Sequence, residues 1–276
     1  MLKTILREER CDEAENNGRR CPVGGCAAGA CVIDHDGKGL YSTGLGHGDA
    51  MHLSDLDPDR PGLEVFSIHE RPAHPYGASL FDAATGQVIW GLPLSDPGRG
   101  LALDIDPRYR GYECWANSSD GLYTCKGEKI PGAKPRSCNM GVWWDGDLLR
   151  ELLDDTTIDK WDSATGTTSR LLSADGCSRN NGSKSNPCLC ADLLGDWRKE
   201  VIWRASDNQE LRIYTTTIPT DHRFVTLMHD PVYRLGIAWQ NVVYNQPAHT
   251  GFYLGEGMAT PPCPAIRTVR SGTDNR

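Results

Sequence analysis

Asp55-Leu56-Asp57-Pro58-Asp59-Arg60-Pro61-Gly62-Leu63-Glu64-Val65-Phe66 begins as an acidic, turn-rich loop and runs straight into a β-strand. It returns as Asp104-Ile105-Asp106-Pro107-Arg108-Tyr109-Arg110-Gly111-Tyr112-Glu113-Cys114-Trp115, with Asp and Glu at matching places. A degenerate copy is Trp144-Asp145-Gly146-Asp147, ending in Arg150-Glu151-Leu152-Leu153. A fourth is Asp192-Leu193-Leu194-Gly195-Asp196-Trp197-Arg198-Lys199-Glu200-Val201-Ile202-Trp203. The starts at 55, 104, 145 and 192 lie 49, 41 and 47 residues apart, near the roughly 40–50 residue period of a propeller blade. Paired aspartates followed by a glutamate suit a hard-cation loop. On that reading Asp55, Asp57 and Glu64, then Asp104, Asp106 and Glu113, then Asp192, Asp196 and Glu200 hold structural calcium. Solvated Asp/Pro/Gly turns at blade edges are the alternative.

Further strand and turn signals follow each copy. Gly77–Asp82 and Ala84–Trp90 read as a hairpin turning at Thr85-Gly86. Gly121–Thr124, Thr157–Trp161 and Leu211–Thr215 occupy the equivalent place later on, and Cys31–Asp34 with Gly39–Ser42 make one more hairpin upstream. No segment carries a sustained helical period. The chain is therefore expected to be all-β, a partial β-propeller of about four full blades with pieces at each end. Residues 27–276 are assigned to it. Residues 1–26, highly charged and then Gly/Ala-rich, are left unassigned, as disordered or out of register.

Composition narrows the function. Of 276 residues, 37 are acidic and 29 basic, for a formal charge of −8. With no basic stripe, a nucleic-acid partner is not expected. No apolar run approaches the ~20 residues of a membrane span, so no membrane association is expected either. Met1–Leu6 runs at once into Arg7-Glu8-Glu9-Arg10, which an export signal does not tolerate. The 11 cysteines show no zinc spacing. Cys177 with Cys188, and Cys114 with Cys125, are candidate disulfides; buried free thiols are the alternative.

Gly46-His47-Gly48-Asp49-Ala50-Met51-His52 precedes the first acidic loop. Residues at i and i+2 of an extended segment point the same way, so His47 and Asp49 can converge on one ion. Glu70, at the end of the strand after that loop, is a third candidate. Imidazole plus two carboxylates would bind a divalent cation with positions left open for a substrate carboxylate. The bland alternative makes His47 a turn residue and Asp49 a loop cap. The polar loop Cys177–Cys188 supplies Asn, Ser and Lys groups suited to holding a sugar and moving a proton, or is simply a solvent loop. Arg99, in Asp96-Pro97-Gly98-Arg99-Gly100, is a lone cation before a strand.

These stretches resemble the family-eleven polysaccharide lyases, the bacterial rhamnogalacturonan lyases. The resemblance is carried by Gly37–Thr43, Gly46–Ala50, Asp57–Glu64, Asn181–Lys184, Gly195–Trp203, Tyr214–Thr220, His229–Arg234 and Ala238–Pro247. It implies an eight-bladed, calcium-dependent propeller, of which about four to five blades are present, binding the rhamnogalacturonan-I backbone of pectin in a central cleft. It further implies a secreted, extracellular enzyme, monomeric when intact. His47, Asp49 and Glu70 resemble ligands of the cleft calcium, with one more ligand upstream where the register holds Cys11. Asn181, Gly182, Ser183 and Tyr244 resemble saccharide contacts, and Lys184 and Arg99 the proton-transfer residues.

The expected chemistry is β-elimination at galacturonate, with endo cleavage expected because the connection Arg71–Tyr76 is short and carries no insertion to wall off a cleft. Elimination does not need the paired carboxylates of a glycosidase. The principal alternative is a catalytically inactive, calcium-bound propeller fragment that binds polysaccharide or protein. The chain taken alone is expected to be inactive or poorly folded.

Overall fold

The computed structural model describes residues 30–34, 36–70, 75–241, 246–261 and 264, and residues 5–8 by their backbone. Strand β1 (Ile5–Glu8) pairs with β2 (Ala30–Ile33), which pairs with β3 (Gly39–Ser42). The sequence predicts no element over residues 1–26, yet β1 pairs from Ile5 against Ile33 to Glu8 against Ala30. The rest of that segment lies outside the described residues.

Three antiparallel meanders follow, each a four-stranded sheet in chain order. The first is β4 (Met51–Ser54), β5 (Glu64–Ile68), β6 (Ala78–Asp82) and β7 (Val88–Leu92). The second is β8 (Gly100–Leu103), β9 (Glu113–Ala116), β10 (Leu122–Tyr123) and β11 (Lys129–Ile130). The third is β12 (Met140–Val142), β13 (Glu151–Asp154), β14 (Thr157–Asp162) and β15 (Thr167–Ser173). In the last sheet β18 (Glu200–Ala205) pairs with β16 (Cys177–Ser178), β17 (Leu189–Ala191) and β19 (Leu211–Tyr214). This is a partial β-propeller, as the acidic repeat predicts.

The cores lie between successive sheets, because inner strands are apolar on both faces. In β8, Ala102 packs with Phe66, Ile68 and Leu80 of the sheet before. Its neighbours Leu101 and Leu103 pack with Leu152 and Trp161 of the sheet after. The alternation follows from the two-residue period of a strand. Met140, Val142 and Leu153 meet Val201 and Trp203 in the same way.

A segment near the C-terminal end ties these sheets together through buried polar groups. The Lys199 ammonium donates to the Ala248 carbonyl at 2.6 Å, and Ser54 Oγ donates to the Thr250 carbonyl at 2.7 Å. Tyr253 OH donates to Asp104 Oδ2 at 2.7 Å. His249 lies 3.0 Å through Nδ1 from Arg150 Nη1 and 3.0 Å through Nε2 from His52 Nδ1, while His52 Nε2 is 3.0 Å from the Gly100 carbonyl. A guanidinium only donates, so His249 Nδ1 accepts; Nε2 then donates to His52 Nδ1, and His52 Nε2–H donates to Gly100. Both rings are neutral in this arrangement. Burial pushes His52 down to about 4, and burial beside Arg150 pushes His249 well below the usual histidine value.

Two further features differ from the sequence expectation. Helix α1 (Pro231–Trp239) exists, started by Asp230, whose carboxylate accepts the Val232 and Tyr233 amides, and by Pro at the first turn. It has 9 residues and buries only Tyr233 and Gly236, too little for a helical period to show. The thiols of Cys114, Cys125, Cys177 and Cys188 are free rather than bridged. Cys125 donates to the Arg110 carbonyl, Cys177 meets Tyr214 OH, and Cys188 donates to Asn180 Oδ1.

Candidate functional site

Gly48 decides the geometry of the site. A Cβ there would lie 1.4 Å from the Ile68 carbonyl oxygen, so only glycine lets the segment before β4 run against the end of β5. The close approach lets the Glu70 amide donate to the His47 carbonyl at 2.5 Å. As a result one ligand atom each from His47, Asp49 and Glu70 falls within 4.8 Å of the others. His47 Nε2 is 3.6 Å from Asp49 Oδ1, and both side chains are half-buried. Burial, then the neighbouring Asp49 carboxylate, raises Glu70 above the usual carboxyl value. An imidazole and two carboxylates crowded in this way form a donor set that fits a divalent cation.

The loop between β16 and β17 brings Lys184 to the same place. Asn181 shapes that loop: its Oδ1 accepts the Lys184 amide at 3.1 Å and its carbonyl accepts the Ser185 amide at 2.9 Å. The Lys184 ammonium then pairs with Asp49 Oδ2. Arg99 braces the loop too, donating through Nη2 to the Ser183 carbonyl at 2.9 Å and through Nη1 to Asn139 Oδ1. Asn139 in turn donates to Asp154. Gly182 and Ser183 are exposed at the loop tip. Tyr244 and Cys11 lie outside the described residues.

Five residues singled out by sequence, His47, Asp49, Glu70, Lys184 and Arg99, thus meet in one region. Sequence reasoning missed Asn139 and Asp154, which carry the arginine brace; an Asn before a strand gives no signal of it.

The acidic loops share one construction. Glu Oε2 at the start of the following strand accepts two successive loop amides. These are Leu56 and Asp57 for Glu64, Ile105 and Asp106 for Glu113, Trp144 and Asp145 for Glu151, and Leu193 and Leu194 for Glu200. In the first two loops Asp55 Oδ1, Asp104 Oδ1 and Glu113 Oε1 are buried without a hydrogen-bond partner, and Glu64 Oε1 lies 3.5 Å from Arg60 Nε. Burial pushes Glu64 up to about 7, and Glu113 well above the usual carboxyl range. Such orphaned oxygens fit a cation ligated by the loop. Around the fourth loop the oxygens are taken: Asp192 accepts from Gly195, Thr226 and Leu227, Glu200 Oε1 accepts from Thr215, and Asp196 pairs with Arg198.

Known proteins match both this sequence and this fold. A family model described as rhamnogalacturonan lyase family 11, C-terminal domain, matches residues 23–264. The rhamnogalacturonan endolyase YesW of Bacillus subtilis (strain 168) is 62% identical over 241 residues, covering 87% of this chain and 38% of YesW. Its crystal structure is similar at a TM-score of 0.83, with 61% identity over 87% of this chain and 41% of that one. The rhamnogalacturonan exolyase YesX of the same organism is 58% identical over 254 residues, 86% of this chain and 42% of YesX. A Bacillus licheniformis rhamnogalacturonan lyase structure matches at TM-score 0.83 and 62% identity, over 90% of this chain and 43% of that one. The chain spans about two fifths of the length of the relatives it matches. It belongs to rhamnogalacturonan lyase family 11, whose C-terminal domain it matches.

Proposed function

We propose that this chain supplies the metal-and-base portion of a calcium-dependent lyase that cleaves the rhamnose–galacturonate linkage of rhamnogalacturonan I by β-elimination. The observation that carries this is the meeting of His47, Asp49 and Glu70 with Lys184 and Arg99. His47, Asp49 and Glu70 would hold the cleft cation. When bound, it neutralises the uronate carboxylate and so makes the C5 proton acidic.

Lys184 is the better base of the two cations. A guanidinium stays protonated in proteins, and Arg99 is committed to carbonyl and amide oxygens of the site. Lys184, which pairs with Asp49 as an ammonium, would first give that proton to solvent, and its neutral amine would then take the C5 proton. The C–H electrons would form the C4–C5 double bond as the C4–O bond breaks, and the departing glycosidic oxygen would take a proton from water. Arg99 holds the Lys184 loop in register. Asn181, Gly182, Ser183 and Tyr244 belong to the saccharide-binding side, and the loops at Asp55 and Asp104 to structural calcium.

Endo action is part of the proposal, supported by the short Arg71–Tyr76 connection and opposed by no insertion in the sequence. A pectin polysaccharide, too large to enter a cell, makes a secreted enzyme the natural setting, and the family resemblance makes the intact enzyme a monomer. The experiment is mass analysis of products made from rhamnogalacturonan I by the chain joined to the preceding blades of YesW. Elimination yields new ends one water lighter than hydrolysis does. Products with hydrated ends mean a glycosidase, and binding without cleavage means a polysaccharide-binding propeller.

A further inference from the structure

The third acidic loop departs from the other three in a way that identifies a replacement. The residue before the two amides bound by the strand glutamate is Asp55, Asp104 and Asp192 in three loops, and Trp143 in the loop at Asp145. Here no carboxylate oxygen is orphaned. Lys160 is the next pair along the register from Leu152 opposite Asp159, so it stands across from Glu151. Its Nζ lies 2.7 Å from Glu151 Oε1, 2.8 Å from Asp145 Oδ2, and 2.8 and 2.9 Å from the two oxygens of Asp147. Three carboxylates thus surround one ammonium as they would a metal ion, and their ligand atoms lie within 4.8 Å of one another. Glu151 is fully buried, whereas Asp147 is 49% exposed, so solvent reaches the cluster from one side. Burial works against the Lys160 charge, yet Glu151 and the two aspartates hold it above the usual lysine value.

We propose that Lys160 is a built-in counter-ion, its ammonium standing in the third sheet where a divalent cation stands in the loops at Asp55 and Asp104. Removing that ammonium opens a cation site made by Asp145, Asp147 and Glu151. The inference rests on the proposal that the first two loops take calcium, and the test separates the two.

Calcium bound per chain is measured by equilibrium dialysis and atomic emission for the wild type, K160M, K160R, E113Q and the double variant K160M/E151Q. The expected result is one additional calcium in K160M. None is gained in K160R, which keeps a cation at the position, or in the double variant, which lacks the buried ligand. E113Q should lose one calcium relative to the wild type. An unchanged count in K160M, with E113Q losing one, overturns the counter-ion role alone. No calcium in any protein overturns both readings. A gain in K160M with no calcium in the wild type overturns the equivalence with the loops at Asp55 and Asp104, and the counter-ion role as stated with it. If K160M folds only with calcium, its calcium-dependent melting supports the role. If K160M fails to fold at every calcium level, K160Q carries the count, and no gain there overturns it.

Discussion

The ammonium of Lys184 pairs with the carboxylate of Asp49, a residue 135 positions earlier in the chain. That one contact joins the second half of the described propeller to the cluster of His47, Asp49 and Glu70. It also makes the proposed base and the proposed cation compete for the same carboxylate. Replacing Lys184 by Met should therefore tighten calcium binding at this cluster by roughly tenfold, the scale of removing a neighbouring positive charge in a partly buried site. Calorimetric titration measures it. Unchanged or weaker affinity would mean that Lys184 and the ion do not compete for Asp49.

Arg99 acts on the Lys184 loop through the Ser183 carbonyl. R99A in the YesW-joined chain should lower kcat by about a hundredfold or more, since a displaced base loses the alignment of the reacting atoms. Its melting temperature should stay within a few degrees of the parent. A large fall in melting temperature with kcat preserved would make Arg99 a structural residue only.

His249 is the acceptor that pairs with the buried Arg150 guanidinium, which also stacks on Trp143 at 4.1 Å. H249A removes a hydrogen bond to that cation, which keeps its bond to the Gly141 carbonyl, a loss on the order of 1.5–3 kcal/mol. Denaturant unfolding of the two proteins gives the difference. A change under about 1 kcal/mol would show that water or Tyr112 replaces the ring without cost.

His52 gives the chain an acid sensitivity of definite sign. Its ordinary value is 6.5 and burial lowers it to about 4 in the folded state. The neutral ring's contribution is complete above pH 6.5 and shrinks as pH falls toward 4. Stability relative to H52Q, which cannot charge, should therefore decline across that window and stop declining below it. Taking the difference between the two proteins cancels the carboxylates they share. Parallel pH curves would mean that His52 titrates normally.

Much of the fold was legible because the acidic loop is both a repeat and a strand boundary. Glu64, Glu113, Glu151 and Glu200 each begin a strand and each bind two loop amides. That local construction survives in sequence even where the aspartates drift. Helix α1 was not legible because its 9 residues bury one small face. His47, Asp49 and Glu70 were legible from their chemical types, but their meeting depends on Gly48 lying against Ile68, a contact that no sequence period announces. The His52–His249–Arg150 relay joins residues far apart in the chain, which no local pattern encodes. Lys160 was invisible for a related reason: its meaning lies in the strand register opposite Glu151.

The most direct measurement is the absorbance of unsaturated uronate when the chain, joined to the preceding blades of YesW, is mixed with rhamnogalacturonan I. A steady rise is predicted with calcium present, none after chelation, recovery when calcium is restored, and none at any calcium level for D49A or K184A. A rise that persists after chelation, or that D49A and K184A leave intact, would contradict the assignment of this site as a calcium-dependent eliminase.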